Sequence, residues 1–209
     1  MRSYSKSLIK KEFVAEMSAS DGDSFIAKVR RERFNDWLAG AEDGMPEALF
    51  LAGLCYFEGA GVERDRKRAV KYFKQAAVSG LAAAQCVLGD CYAGGTGVIK
   101  NNKNAFKWFK LSADQGFAEA QFALGTAYAA GLGVNENGEE AFKWFFLAAS
   151  RGLAEGENAL GMCYEYGYGI EKDIGTAMKW YRCAASQGLE EGIANHSRLV
   201  NGNCRKMDC

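Results

Sequence analysis

The sequence predicts an all-α solenoid: four helix-turn-helix repeats of 36 residues, with a half-repeat capping each end. Three observations carry this reading. The stretch Leu81 to Gly116, LAAAQCVLGDCYAGGTGVIKNNKNAFKWFKLSADQG, has the same skeleton one period earlier, from Met45, and again from Phe117 and from Leu153, with no insertion. Single positions recur in step: Gly53, Gly89, Gly125 and Gly161; Tyr56, Tyr92, Tyr128 and Tyr164; Ala69, Ala105, Ala141 and Ala177. The chain also holds 25 glycines and one proline, Pro46, a balance that suits helices parted by tight glycine turns rather than strands.

Residues 1–23, MRSYSKSLIKKEFVAEMSASDGD, carry no copy of the repeat and read as a flexible tail. A mitochondrial transit peptide is Arg-rich and acid-poor, whereas the first twenty residues hold one arginine, Arg2, and two glutamates, Glu12 and Glu16. The set Leu8, Ile9, Phe13, Val14 and Met17 suits a short helix folded back on the domain. From Ser24 the apolar spacing turns helical, with Phe25, Ile26 and Val29 and then Trp37, Leu38 and Ala41. Aligning Gly44 with Gly80 places Trp37 on the slot of Phe73, Phe109, Phe145 and Tyr181. Residues 24–44 are thus a second helix without its first, an N-terminal cap over the first full unit.

The repeats run 45–80, 81–116, 117–152 and 153–188. Each divides into a first and a second helix. In the second copy the first helix, about 81–93, shows Ala84, Leu88, Cys91 and Tyr92 on one stripe. Gly89 sits inside it, where glycine costs roughly 0.5–1 kcal/mol relative to alanine. The same glycine in each copy implies that a Cβ there would strike the second helix of its own unit. Glycine turns follow, Gly59-Ala-Gly61, Gly95-Thr-Gly97, Gly131-Leu-Gly133 and Gly167-Tyr-Gly169, and then Asp65, Asn101, Asn137 and Asp173 as N-caps of the second helices. Gly80, Gly116, Gly152 and Gly188 take the left-handed place after them. Residues 189–202 form a lone first helix in which His196 and Ser197 replace the Leu-Gly pair, a polar C-terminal cap, and 203–209 are expected to be disordered.

Lysine plus arginine and aspartate plus glutamate both number 26, so the net charge is zero and gives no general attraction to nucleic acid or anionic membrane. No run of about 20 apolar residues offers a transmembrane segment. Cys55, Cys91 and Cys163 share a slot with Ala127, which marks a small packing position rather than disulfides. No C-x-x-C pair occurs among the seven cysteines, so a reducing, cytoplasmic setting is expected, with mitochondria the alternative.

The motif A118-E-A-Q121, L124-G125, Y128, G131-L-G133-V134, then A141, W144-F145, A148-A149 and G152, resembles the Sel-one-like repeat family, the SLR branch of the tetratricopeptide superfamily. The likeness covers residues 45–188 and both half-repeats. It implies α/α hairpins stacked in a right-handed superhelix, and adaptors that hold protein complexes together. A secreted branch of the family staples each unit with two cysteines eight residues apart; the matching positions here are Ala77 and Gln85, Ala113 and Gln121. Fungal relatives can end in a prenylation signal, whereas this sequence ends Lys-Met-Asp-Cys, which is no C-a-a-X box.

No catalytic, cofactor-binding or metal-binding residue is expected. The glycine turns follow helices and lack the third glycine of a dinucleotide loop. His196, the one histidine, lies on the slot of Leu88, Leu124 and Leu160, and its spacing to Cys204 and Cys209 fits no common zinc module. Lys71, Lys107, Lys143 and Lys179 make a column on the second helices, most simply a solvated face. Trp108, Trp144 and Trp180, with Tyr72, read as core between repeats.

Function is expected where the frame stays fixed and the side chains change. Phe50, Leu54 and Phe57; Cys86, Asp90 and Ala93; Phe122, Thr126 and Ala129; Asn158, Met162 and Glu165 each lie on one face of a first helix, offset from the core stripe. These residues are expected to line a concave groove that takes a peptide or helix of a partner protein, with Tyr166 and Tyr168 as further exposed contacts. Packing of Phe50 and Phe57 beneath the N-terminal cap is the competing account of those two. The expected role is a non-enzymatic scaffold or adaptor, a monomer or a member of a hetero-complex. A hydrolase or small-molecule binder using the groove, and a structural spacer, are the alternatives.

Overall fold

The computed structural model describes the backbone of residues 24–207 and the side chains of residues 33–201. The expected tail 1–23, Cys209, and the side chains of Phe25, Ile26, Val29 and Cys204 lie outside the described parts. Among the described residues there are ten helices and no strand: α1 Ser24–Glu42, α2 Pro46–Glu58, α3 Arg66–Val78, α4 Ala82–Gly94, α5 Asn102–Asp114, α6 Ala118–Ala129, α7 Gly138–Ser150, α8 Ala154–Tyr166, α9 Ile174–Ser186 and α10 Glu190–Met207. The protein is an all-α repeat solenoid. It divides into two compact units, one through Trp108 and one from Phe109. In the first, α1 packs on α2, α2 on α3 and α3 on α4. In the second, α6 to α10 pack pairwise in chain order.

The helix boundaries follow from local chemistry. Pro46 opens α2, where its missing N–H costs nothing because the first helical N–H groups have no intrahelical acceptor. Asp65, Asn101, Asn137 and Asp173 accept from the backbone N–H three residues on, at 2.9, 3.0, 3.1 and 3.1 Å. The second helices end as expected: Gly80, Gly116, Gly152 and Gly188 have φ of 93, 87, 79 and 87°. Gly80 N–H bonds to the Ala77 carbonyl and Leu81 N–H to that of Ala76, which satisfies carbonyls otherwise left free at a helix end.

Two glycine positions are set by close approach. A Cβ on Gly125 would stand 2.6 Å from the Phe145 ring, and the equivalents on Gly53 and Gly161 would meet Phe73 and Tyr181 at 2.6 and 2.7 Å. The first helix of each of these units thus crosses the second at the glycine, as the repeat pattern predicts. A Cβ on Gly97 would run into the Arg66 carbonyl, because the glycine turn of one repeat lies on the start of the second helix of the repeat before it.

The core is the set of recurring slots. Leu88, Leu124 and Leu160 are fully buried, as are Phe73 and Tyr181, with Trp37 of α1 on the same slot. Cys55, Cys91 and Cys163 are buried free thiols, and burial pushes those of Cys91 and Cys163 up to about 11. The aromatic ladder is less enclosed than expected: Tyr72, Trp108, Trp144 and Trp180 are half-buried, and Tyr72 stacks on Tyr56 at 5.5 Å. At the C-terminus, α10 runs to Met207, past the expected cap end at 202. Between 202 and 207 no proline intervenes, and Arg205, Lys206 and Met207 are good helix formers after the weaker Gly202, Asn203 and Cys204.

Candidate functional site

The residues singled out from the sequence separate by accessibility. On the first unit, Phe50 is 2% exposed, with its ring tilted against Phe73 at 5.7 Å. Cys86 is buried, and Leu54 and Phe57 are half-buried. Phe57 also lies against Phe73, at 6.1 Å, beneath the Arg66 guanidinium at 5.7 Å. Asp90 is open to solvent by area, yet the protein around it desolvates its carboxyl and pushes it up to about 6. This face of the first unit offers one carboxylate and few free apolar atoms.

On the second unit, Phe122 is half-buried against Phe145 at 5.8 Å, and Thr126 is exposed with its hydroxyl donating to the Phe122 carbonyl at 3.0 Å. Asn158 and Glu165 belong to the closing contact with α10. Asn195 Nδ2 donates to Asn158 Oδ1 at 3.0 Å, and Glu165, 5% exposed, takes both nitrogens of the Arg198 fork. A carboxylate on the first-helix face looked available from the sequence, but Arg198 of α10 covers it. Tyr168 is half-buried rather than exposed, because its hydroxyl is tied to the Ala129 carbonyl and to Glu136 Oε1, both at 3.1 Å.

Met162 and Tyr166 are 44% and 64% exposed. With Ala129, Phe145, Ala159 and Tyr168 they line a recess of about 300 Å³ whose walls are almost wholly apolar. Ala129 belongs to the expected face of α6, whereas Phe145, Cys163 and Ala159 were not among the expected contacts. The repeat pattern assigns Phe145 and Cys163 to the core, and Ala159 gives no signal of its own. Ala129 of α6 and Ala159 of α8 bring small side chains to the wall of the recess, and the Tyr168 hydroxyl bonds to the Ala129 carbonyl beside it.

The other candidates resolve simply. Lys71, Lys107, Lys143 and Lys179 are all exposed, and Lys143 pairs with Glu140 at 2.7 Å. His196 is half-buried on α10. No cluster of three or more His, Cys, Asp or Glu side chains able to hold a metal ion occurs among the described residues. No described helix is long and apolar enough to cross a membrane.

The model of the Sel1 repeat matches residues 46–80, 82–117, 118–153 and 154–189. The chain belongs to the Sel1 repeat family. Among solved structures, a protective antigen of uropathogenic Escherichia coli with an SLR fold is 36% identical over 74% of this chain, with a TM-score of 0.73. The matched part is 33% of that protein, so this chain spans about a third of its length. A Sel1 repeat protein from Oxalobacter formigenes is 26% identical, with a TM-score of 0.76, and the match covers 91% of this chain and 83% of the other. An immunity protein from Pseudomonas aeruginosa shares the fold at 20% identity and a TM-score of 0.59, over 88% and 68% of the two chains. No functionally curated protein matches the chain. Sel1 repeat proteins generally mediate protein–protein interaction and are generally non-catalytic.

Within these Sel1 units the position that holds a stapling cysteine in the secreted branch has a different use. Gln85 Nε2 donates to the Ala77 carbonyl at 3.1 Å and Gln121 Nε2 to that of Ala113 at 3.3 Å, both buried. Each joins the two positions eight residues apart by a hydrogen bond. In the fourth unit Glu157 takes the slot and accepts from Gln187 Nε2 at 2.9 Å instead. A carboxylate cannot donate to the carbonyl, so in this unit the slot's side chain serves as an acceptor instead.

Proposed function

We propose that this protein is a non-catalytic interaction scaffold that seats an apolar side chain of a partner's peptide or helix in the recess between α6 and α8. The observation that carries the reading is the apolar lining of that recess, with Met162 and Tyr166 exposed at its rim. Two such residues one turn apart on α8 supply apolar and aromatic anchor area, and methionine adapts to varied shapes. Thr126, one turn before the recess on α6, and Phe122 lie along the same helix face. The free buried thiols support placement in a reducing compartment such as the cytoplasm.

The test is affinity capture by the purified protein, comparing wild type with Met162→Glu and with Tyr166→Ala, each checked for a wild-type circular dichroism spectrum. A protein bound by wild type, lost with Met162→Glu and rebound as a purified component establishes the recess as its site. Identical partners for all three proteins exclude the recess.

A further inference from the structure

A second surface, chemically opposite to the recess, lies on the first unit. Between Glu63 and Lys74 the chain carries six cations, Arg64, Arg66, Lys67, Arg68, Lys71 and Lys74, and two acids, Glu63 and Asp65. All eight are exposed. Arg64 to Arg68 and Tyr56 wall a cleft of about 750 Å³, and a second cleft of about 650 Å³ shares Asp65, Lys67 and Arg68 with it and reaches Lys71, Tyr72 and one further acid, Glu42. Among the described residues, none of Arg64, Arg66, Lys67, Arg68 and Lys71 forms an ion pair; the ion pairs lie elsewhere. Asp65 is already engaged, accepting from Arg68 N–H as the cap of α3.

The cluster is partly pre-organised. The Arg68 guanidinium lies 4.5 Å over the Tyr56 ring, which is itself stacked on Tyr72. The Arg66 guanidinium lies 5.7 Å over Phe57, and the Arg66 backbone is held from outside by Gly97 of the next turn. Guanidinium groups set over rings lose less rotamer entropy when they meet an anion, and their planar forks match carboxylates two bonds at a time. At the same register the third repeat has Glu136, Gly138, Glu139 and Glu140, so the feature is local to the first repeat and not part of the frame.

We propose that this double cleft binds a carboxylate-rich segment of a partner protein. Clefts of this size take a few side chains, not a long track. The interspersed Glu63 and Asp65 and the zero net charge of the chain disfavour a continuous polyphosphate. The site is separate from the recess on the second unit and stands or falls without it.

The experiment is fluorescence anisotropy with a labelled peptide of alternating Glu and Asp, about a dozen residues long, titrated with the full chain at about 50 and 300 mM salt. Saturable binding is expected at low salt, weakened at least tenfold at high salt. Arg64→Glu plus Lys67→Glu should weaken low-salt binding at least tenfold. Neither side chain lies over a ring, so the fold should hold; Arg64→Gln plus Lys67→Gln replaces the pair if it does not. Lys179→Glu plus Arg182→Glu makes the same change of charge on α9 and should leave binding within twofold. Absence of binding, equal loss in both charge-reversed proteins, or tighter binding of single-stranded DNA of equal charge would overturn the proposal. Salt-sensitive self-association lost in the Arg64/Lys67 variant would assign the cleft to a second copy and overturn it equally.

Discussion

Arg198 of α10 closes a two-pronged ion pair on Glu165 of α8, with Nη1 to Oε1 at 2.7 Å and Nη2 to Oε2 at 2.8 Å, while the Tyr181 hydroxyl donates to Oε2 at 2.7 Å. The end of the repeat array is therefore fastened by a partly buried charge pair, not by apolar contact alone. The Arg198 fork holds the Glu165 carboxyl below its usual range against the opposing effect of burial, and the Tyr181 hydroxyl assists.

Arg198→Ala leaves Glu165 buried with only the Tyr181 hydroxyl, and should lower the unfolding free energy by about 1–3 kcal/mol in urea titrations at neutral pH. A carboxyl depressed in the folded state stabilises above its unfolded value and loses that contribution as pH falls through the folded one. The gap between wild type and variant should thus shrink in acid. A gap independent of pH would mean the loss is one of packing.

Gly125→Ala places a methyl carbon 2.6 Å from the packed Phe145 ring and should lower the melting temperature by several degrees. Adding Phe145→Leu should return part of the loss, since the smaller side chain yields the contested space. Double-mutant analysis of thermal melts checks this; simple additivity would show that the glycine is not there for close approach.

Gln121→Leu removes the donor to the Ala113 carbonyl but also removes Oε1, a buried acceptor without a hydrogen-bond partner, so the net cost by chemical denaturation should stay below about 1 kcal/mol. Leucine keeps the volume, and a cost well above that would mean that the hydrogen bond outweighs the relief of the unsatisfied oxygen.

Asp90 has a carboxyl raised by desolvation from 3.8 to about 6. Such a group adds stability below its unfolded value and loses it as pH rises through the folded one, so the ionised form works against folding at neutral pH. Asp90→Asn should raise the melting temperature by about 1–3 °C near pH 7.5, with the difference closing near pH 4. Equal melting differences at both pH values would contradict this.

The frame of the molecule was legible because it is periodic and local. Asp65, Asn101, Asn137 and Asp173 cap their helices, and the glycines after each second helix are left-handed, since each acts within a few residues of its own backbone. The candidate site was read less well. Helical phase identifies which face a residue occupies but not what covers that face. Phe50 shared the phase of Met162, yet one is buried against Phe73 and the other is open. Glu165 looked like a free carboxylate because its partner Arg198 is 33 residues away, and Tyr168 looked like a free ring because its acceptors lie a full repeat earlier.

The sequence by itself determined the family, the repeat, the helix boundaries and the identity of the core slots, because a cap or a left-handed turn is decided by neighbours in the chain, and the glycine that admits a ring from the next helix is restated copy after copy. The tertiary structure decided which variable residues reach solvent, where α6 and α8 leave an apolar recess, and how Arg68 and Arg66 come to lie over Tyr56 and Phe57. Those properties belong to pairs of residues that different helices bring together, and a hydrogen bond or a ring contact between helices leaves no trace in the spacing along either one.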